Sequence, residues 1–131
     1  MKSLTLVSIF AVLAAAVVFS AGGSHAGAAD CSSAATQVAI TACEGAAAKA
    51  ADAGMGVTYA AALHGLPQQR RSSLAAAQTA WRQYRAKECA FEAGAYAGGS
   101  LMPSAAAACH ASVTNARTVQ LRALLLQLKA G

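Results

Sequence analysis

Leu74 to Ser100 reads LAAAQTAWRQYRAKECAFEAGAYAGGS, and its periodicity decides the fold. Leu74, Ala77, Trp81, Tyr84, Glu88, Phe91 and Ala95 recur at alternating steps of three and four, the spacing of one face of a helix. Gly98-Gly99-Ser100 closes that helix. Upstream, Gly65-Leu66-Pro67 joins a residue suited to a helix C-terminus to one suited to a first turn. The stretch therefore predicts a helix from Pro67 to about Ala97, with further helical segments on either side.

Working outward, Thr36 to His64 forms a first helix, capped by Thr36 or a preceding serine, with Ile40, Cys43, Ala47, Ala50, Met55, Tyr59 and Leu63 along one side. Gly54 and Gly56 weaken its middle and invite a kink. A third helix starts at Pro103 or Ser104 and carries Cys109, Val113, Ala116, Gln120, Leu121, Leu124 and Leu128. Alanine dominates, β-branched residues are few and strand-like alternation is absent, so the fold class is all-α. The expected architecture is a small three-helix up-down-up bundle over residues 30–129.

The N-terminus has the layout of an export signal. Met1-Lys2 precedes an apolar run from Leu4 to Phe19, broken only by Thr5 and Ser8, and small residues then fill most of the way to Ala29. Cleavage is expected after Ala26, giving a leader of residues 1–26, or after Ala29. A lipidated Cys31 does not fit, because Asp30 stands where a small residue is needed. The product is an exported domain, periplasmic or secreted, with membrane contact only through the leader.

Cys31, Cys43, Cys89 and Cys109 all lie beyond that leader, and an even cysteine count in a small exported chain reads as two disulfides. The intervening stretches of eleven, forty-five and nineteen residues, without Cys-x-x-Cys or paired histidines, argue against zinc. In an up-down-up bundle Cys43, Cys89 and Cys109 stand near one end, so both bridges are expected to cluster there. Three pairings are open; Cys43–Cys89 with Cys31–Cys109 is slightly preferred.

From Gly27 onward nine Lys and Arg face five acids, a net charge of +4 (9 − 5). Scattered cations without interleaved aromatics exclude a nucleic-acid binder and leave anionic surfaces or acidic partners. No serine or cysteine has a recognisable histidine partner, Glu88 and Glu92 look like solvated helix residues, and Gly98-Gly99 looks like a turn rather than a phosphate loop. No enzyme, metal or cofactor is implied.

The residues AAQTAWRQYRAKECAFEA, then GGS, a proline, a cysteine and a following TxxR resemble the lysozyme inhibitor LprI-like family. The pattern falls on Cys31, Thr36, Gln37, Cys43, Asp52, Tyr59, Leu74, Gln78, Trp81, Tyr84, Arg85, Glu88 and Cys89. It continues through Gly98, Gly99, Ser100, Pro103, Cys109, Thr114, Arg117 and Leu121. The resemblance implies a small exported helical domain that binds a protein, lysozyme or another envelope or host protein. The chain departs from the family pattern at Gly54, Met55 and Gly56, where relatives carry an acidic residue, leucine and asparagine.

Charged residues set into the apolar stripe are the candidate site: Asp52, Trp81, Tyr84, Arg85, Glu88 and Arg117. A carboxylate at Glu88 is costly unless paired, with Arg85 or Arg117 as partner and Asp52 as a second partner for Arg85. An ion network that sets helix register is the favoured reading; a charged recognition site beside Trp81 or Tyr84 is the other. Two functions follow. One is an inhibitor that occludes the lysozyme cleft, although common animal lysozymes are basic and require a local acidic patch from Glu44, Asp52, Glu88 and Glu92. The other is an envelope accessory protein whose cations meet anionic lipid or polysaccharide.

Overall fold

The computed structural model describes residues 30–130; the leader expected over residues 1–26, or to 29, lies outside them. A 3-10 turn, Cys31–Ser33, leads into α1 (Gln37–Gly65), α2 (Gln68–Gly94) and α3 (Met102–Ala130). Among the described residues there is no strand. Thr36 caps α1 as its residue type suggests, its hydroxyl accepting from the Ala39 N–H at 3.2 Å. Asp30 caps the leading turn in the same way, accepting from the Ser32 N–H at 3.0 Å. The Ser32 hydroxyl and then its backbone N–H hold the Asp30 carboxyl below the usual carboxylate range.

α2 ends earlier than its stripe suggests. After Gly94 the chain tightens into i→i+3 bonds, Tyr96 N–H to Ala93 O at 3.0 Å and Ala97 N–H to Gly94 O at 3.1 Å. Gly98 then takes φ +77°, the left-handed conformation in which glycine carries no Cβ penalty, and the chain reverses into α3. α1 runs unbroken through Gly54 and Gly56.

α1 and α3 are parallel and matched end to end. At one end the Gln37 amide donates to Ser104 Oγ at 2.9 Å; at the other, Leu128 lies over Gly65, where an added Cβ would come within 3.1 Å of Leu128 Cδ1. Ala47, Ala51 and Ala111 fill the contact nearest the first end. Further along, Met55, Ala62 and Leu121 form the larger cluster, with Tyr59, Leu74, Trp81, Leu124 and Leu125 packed against it. Methyl-sized side chains let these two helices approach closely. α2 runs antiparallel to both and packs its backbone along α3, while its backbone barely approaches α1.

That geometry corrects the preferred disulfide pairing. The bridges are Cys31–Cys43, with Cα atoms 5.8 Å apart, and Cys89–Cys109, with Cα atoms 5.5 Å apart. A disulfide needs Cα atoms within about 7 Å, and α1 and α2 stay too far apart for Cys43 to meet Cys89. Cys89 and Cys109 instead share a level on the α2–α3 hairpin, and Cys31 folds back from the leading turn onto α1. Both bridges do cluster at one end of the bundle, the end bearing the α2–α3 loop.

The inward stripe of α2 also differs from the periodic one. Gln78, Cys89 and Ala93 are buried and Leu74, Trp81 and Arg85 half-buried, whereas Ala77, Ala95, Tyr84 and Phe91 are exposed, Phe91 by 79%. With α3 as its main neighbour, α2 is rotated so that the cysteine side faces inward and the aromatic edge faces out. Smaller shifts occur elsewhere: Ala51 rather than Ala50 is buried on α1, and Ala116 and Gln120 of α3 are exposed.

A Cβ built at Gly54 or Gly56 meets nothing within 4 Å. Gly54→Ala and Gly56→Ala should therefore each stabilise the domain, by about 0.5–1 kcal/mol, through lower unfolded-chain entropy and better helix propensity. Urea melts of the single variants check this, and a loss of stability in both would contradict an unstrained, open helix surface there.

Candidate functional site

Three helices are joined where α1 and α2 do not touch through their backbones. Gln78, Trp81 and Arg85 lie at i, i+3 and i+7 on α2, so they point the same way. Asp52 and Met55 on α1 and Thr114 and Arg117 on α3 repeat the i, i+3 spacing opposite them.

Arg85 occupies the centre. One of its terminal nitrogens donates to Asp52 Oδ1 at 2.5 Å and to Thr114 Oγ1 at 2.6 Å. Its guanidinium carbon lies 4.8 Å from the centroid of the Trp81 ring, within cation–π range. Its Nε is buried and has no hydrogen-bond partner among the described residues. Thr114 is fully buried, while the Asp52 side chain is 50% exposed. A half-exposed carboxylate is screened by water, so the ion pair is worth no more than about 1 kcal/mol. The bond to buried Thr114 and the cover of Trp81 carry more of the interaction.

Two turns back along α2, Gln78 is the second junction. Its Oε1 accepts from Arg117 Nε at 3.0 Å and its amide nitrogen lies 3.1 Å from Met55 Sδ. Arg117 also donates to Gln120 Oε1 at 2.9 Å. A glutamine that is almost wholly buried must find partners for both ends of its amide, and these are the two it finds.

Of the residues singled out in the sequence, Asp52, Trp81 and Arg85 meet at one point, and Arg117 stands beside them through Gln78. The expected pairing of Glu88 does not occur: Arg85 takes Asp52 and Thr114, and Arg117 takes Gln78 and Gln120. Glu88 is half-buried and forms no ion pair among the described residues. Rotation of α2 towards α3 turns Gln78, Arg85 and Cys89 inward and leaves Glu88 beside that line rather than on it. Tyr84 is 53% exposed and lies outside the junction. Gln78 and Thr114 belonged to the family pattern, but their polar side chains gave no hint of burial. The usable signal was spacing, since Gln78 precedes Trp81 by three residues and Arg85 by seven.

The surface charge is uneven along the bundle, with exposed Lys49 and Arg82 between the ends and Lys87 beside Glu88. Asp30 at the leading turn, Glu44 in the first half of α1, and Glu88 and Glu92 at the end of α2 all lie towards the disulfide end. There an open cleft of about 230 Å³ is lined by Ile40, Glu44, Tyr96, Leu101, Ser104 and Ala108. Arg70 and Arg71 at the start of α2, and Arg122 and Lys129 late in α3, lie at the opposite end. Asp52, the fifth acid, is already paired with Arg85. Among the described residues no group of three or more His, Cys, Asp or Glu is placed to hold a metal ion.

Arg85→Ala should cost about 2–3 kcal/mol, because it strands the Thr114 hydroxyl and removes a charge that bridges all three helices. Asp52→Ala should cost under about 1 kcal/mol, since the carboxylate is half in water. Equal losses in denaturant melts would show that the ion pair, rather than the buried bond, holds the junction.

In comparisons with known proteins, the model of one family, described as lysozyme inhibitor LprI, matches residues 28–121. No curated protein and no solved structure matches the chain.

Proposed function

The chain belongs to the lysozyme inhibitor LprI family, and on that premise we propose that it is an exported protein-binding domain that occludes the lysozyme cleft. The observation that carries this reading is the family match, which spans the bundle from before Cys31 to Leu121. The two disulfides support a compartment outside the reducing cytosol. They also stiffen the domain, which lowers the entropy lost on docking. Inhibition by occlusion asks for shape and charge rather than for a nucleophile or an acid–base pair, and the polar groups of the junction, Arg85 Nε apart, are already spent on one another.

The disulfide end is the docking end in this reading. A net charge of +4 on the exported part opposes a basic lysozyme only if the whole molecule is felt at once. A helix of 29 residues spans about 43 Å at 1.5 Å per residue, whereas exposed charges are screened beyond about 8 Å at physiological ionic strength. A lysozyme approaching the disulfide end therefore meets Glu44, Glu88 and Glu92, offset there by Lys87, and not the remote arginines. Tyr96 and Leu101 beside the cleft add apolar contact area.

Turbidity assays on bacterial cell walls, with lysozymes of several types and from physiological ionic strength upwards, test the reading. Lysis should slow with a basic lysozyme, and Glu88→Lys with Glu92→Lys should weaken inhibition at least tenfold while leaving the melting temperature unchanged. The difference should shrink as salt is added. Undiminished lysis by every lysozyme at large molar excess of the domain would sink the proposal.

A further inference from the structure

The far end of the bundle has the opposite character, and the inhibitor reading makes no use of it. On α3, Val119, Ala123, Leu126 and Ala130 recur at steps of four, three and four, one stripe along the helix. All four are exposed, Val119 by 64% and Leu126 by 68%. Arg122 and Lys129, also exposed, stand one position before Ala123 and Ala130 and so flank the stripe on one side. Arg70 and Arg71 begin α2 at the same end of the bundle, and Arg71 Nε is anchored to the Leu66 carbonyl at 2.7 Å.

Four cations thus lie at this end, whereas among the described residues Asp30, Glu44, Glu88 and Glu92 lie towards the other end and Asp52 is paired. Helix ends do not cancel them. The C-termini of α1 and α3 bring about half a negative charge each and the N-terminus of α2 about half a positive one. Their sum is a fraction of one charge against four. Exposed aliphatic side chains interleaved with long cationic ones are the chemistry of a peripheral contact with an anionic bilayer, in which the apolar stripe enters the interface and Lys and Arg heads stay with the phosphates. A basic protein is repelled from this face, and no helix among the described residues is long and apolar enough to cross a membrane.

We propose that Val119, Arg122, Leu126 and Lys129 of α3, supported by Arg70 and Arg71, form a docking face for an anionic phospholipid surface. Bound in this way, the domain holds its disulfide end, with Glu44, Glu88 and Glu92, away from the membrane. The uneven charge then favours this orientation, with Arg122 and Lys129 at the lipid and the carboxylates of the disulfide end remote from it.

The test uses the protein in the form that a bacterial host exports, sedimented with vesicles of phosphatidylcholine alone or with about one third phosphatidylglycerol. Binding to the anionic vesicles should exceed that to neutral ones at least tenfold and disappear in 0.5 M salt, a concentration at which the screening length falls to about 4 Å. Arg122→Glu with Lys129→Glu should reduce anionic-vesicle binding at least tenfold, and Leu126→Ser should weaken it several-fold. Lys49→Glu, on α1 outside this face, should change it little. Far-UV circular dichroism checks the fold, and Arg122→Gln with Lys129→Gln replaces the double reversal if that variant fails to fold. Lysozyme inhibition, measured on the same variants, should be unaffected, which separates failure of this face from failure of the inhibitor reading. Equal binding to both vesicle types, or full binding by the charge variants, overturns the proposal. So does binding to an anionic polysaccharide with none to vesicles.

Discussion

An alanine-lined contact between α1 and α3 brings two long helices close together but hides little apolar surface per residue, and that shortage governs the rest of the molecule. Burial is worth roughly 25 cal/mol per Å² of apolar area, so Ala47, Ala51 and Ala111 contribute much less than leucines in their places would. Among the described residues, Met55, Leu121 and their neighbours supply the cluster with larger side chains. A domain of about 100 residues with so lean a core depends on other ties. Here they are covalent at one end and polar in the middle.

Each tie acts where packing is weakest. α2 meets α1 through side chains rather than backbone, and Arg85 and Gln78 are the groups that reach across. The Cys89–Cys109 bridge fixes the level of α2 on α3, which in turn sets the height at which Arg85 finds Asp52 and Thr114. Removing a bridge of this kind costs on the order of 2–4 kcal/mol, a large share of the stability of a small domain. The polar junction adds register: a slip of α2 by one turn would leave Thr114 and Gln78 buried without partners. Function is thereby displaced to the surface, since Asp52, Arg85 and Arg117 are occupied within the junction.

The two ends of the bundle are left free, and they differ in charge. Helices of this length separate charges by several screening lengths, so one small domain can present an acidic end and a cationic end that act independently. Net charge, the quantity most easily read from composition, is therefore the least informative measure of what this protein binds.

Helix number, approximate helix limits, the all-α class and the family resemblance were legible in the sequence, because 3.6-residue periodicity, Thr36, Gly65-Leu66-Pro67 and Gly98-Gly99 are local signals. Local signals also placed Asp52 and Arg85 among the residues to watch. They did not decide which face of α2 turns inward. The stripe of Leu74, Trp81, Tyr84 and Phe91 is apolar and regular, yet Tyr84 and Phe91 are exposed while Gln78 and Arg85 turn inward. Nor did they decide the cysteine pairing or the fate of Glu88. Those outcomes depend on how α2 sits between α1 and α3, and that is set by the close alanine contact of the parallel pair and by the Cys89–Cys109 bridge. Periodicity along a chain records which residues share a face; only the packing of several helices decides what that face meets.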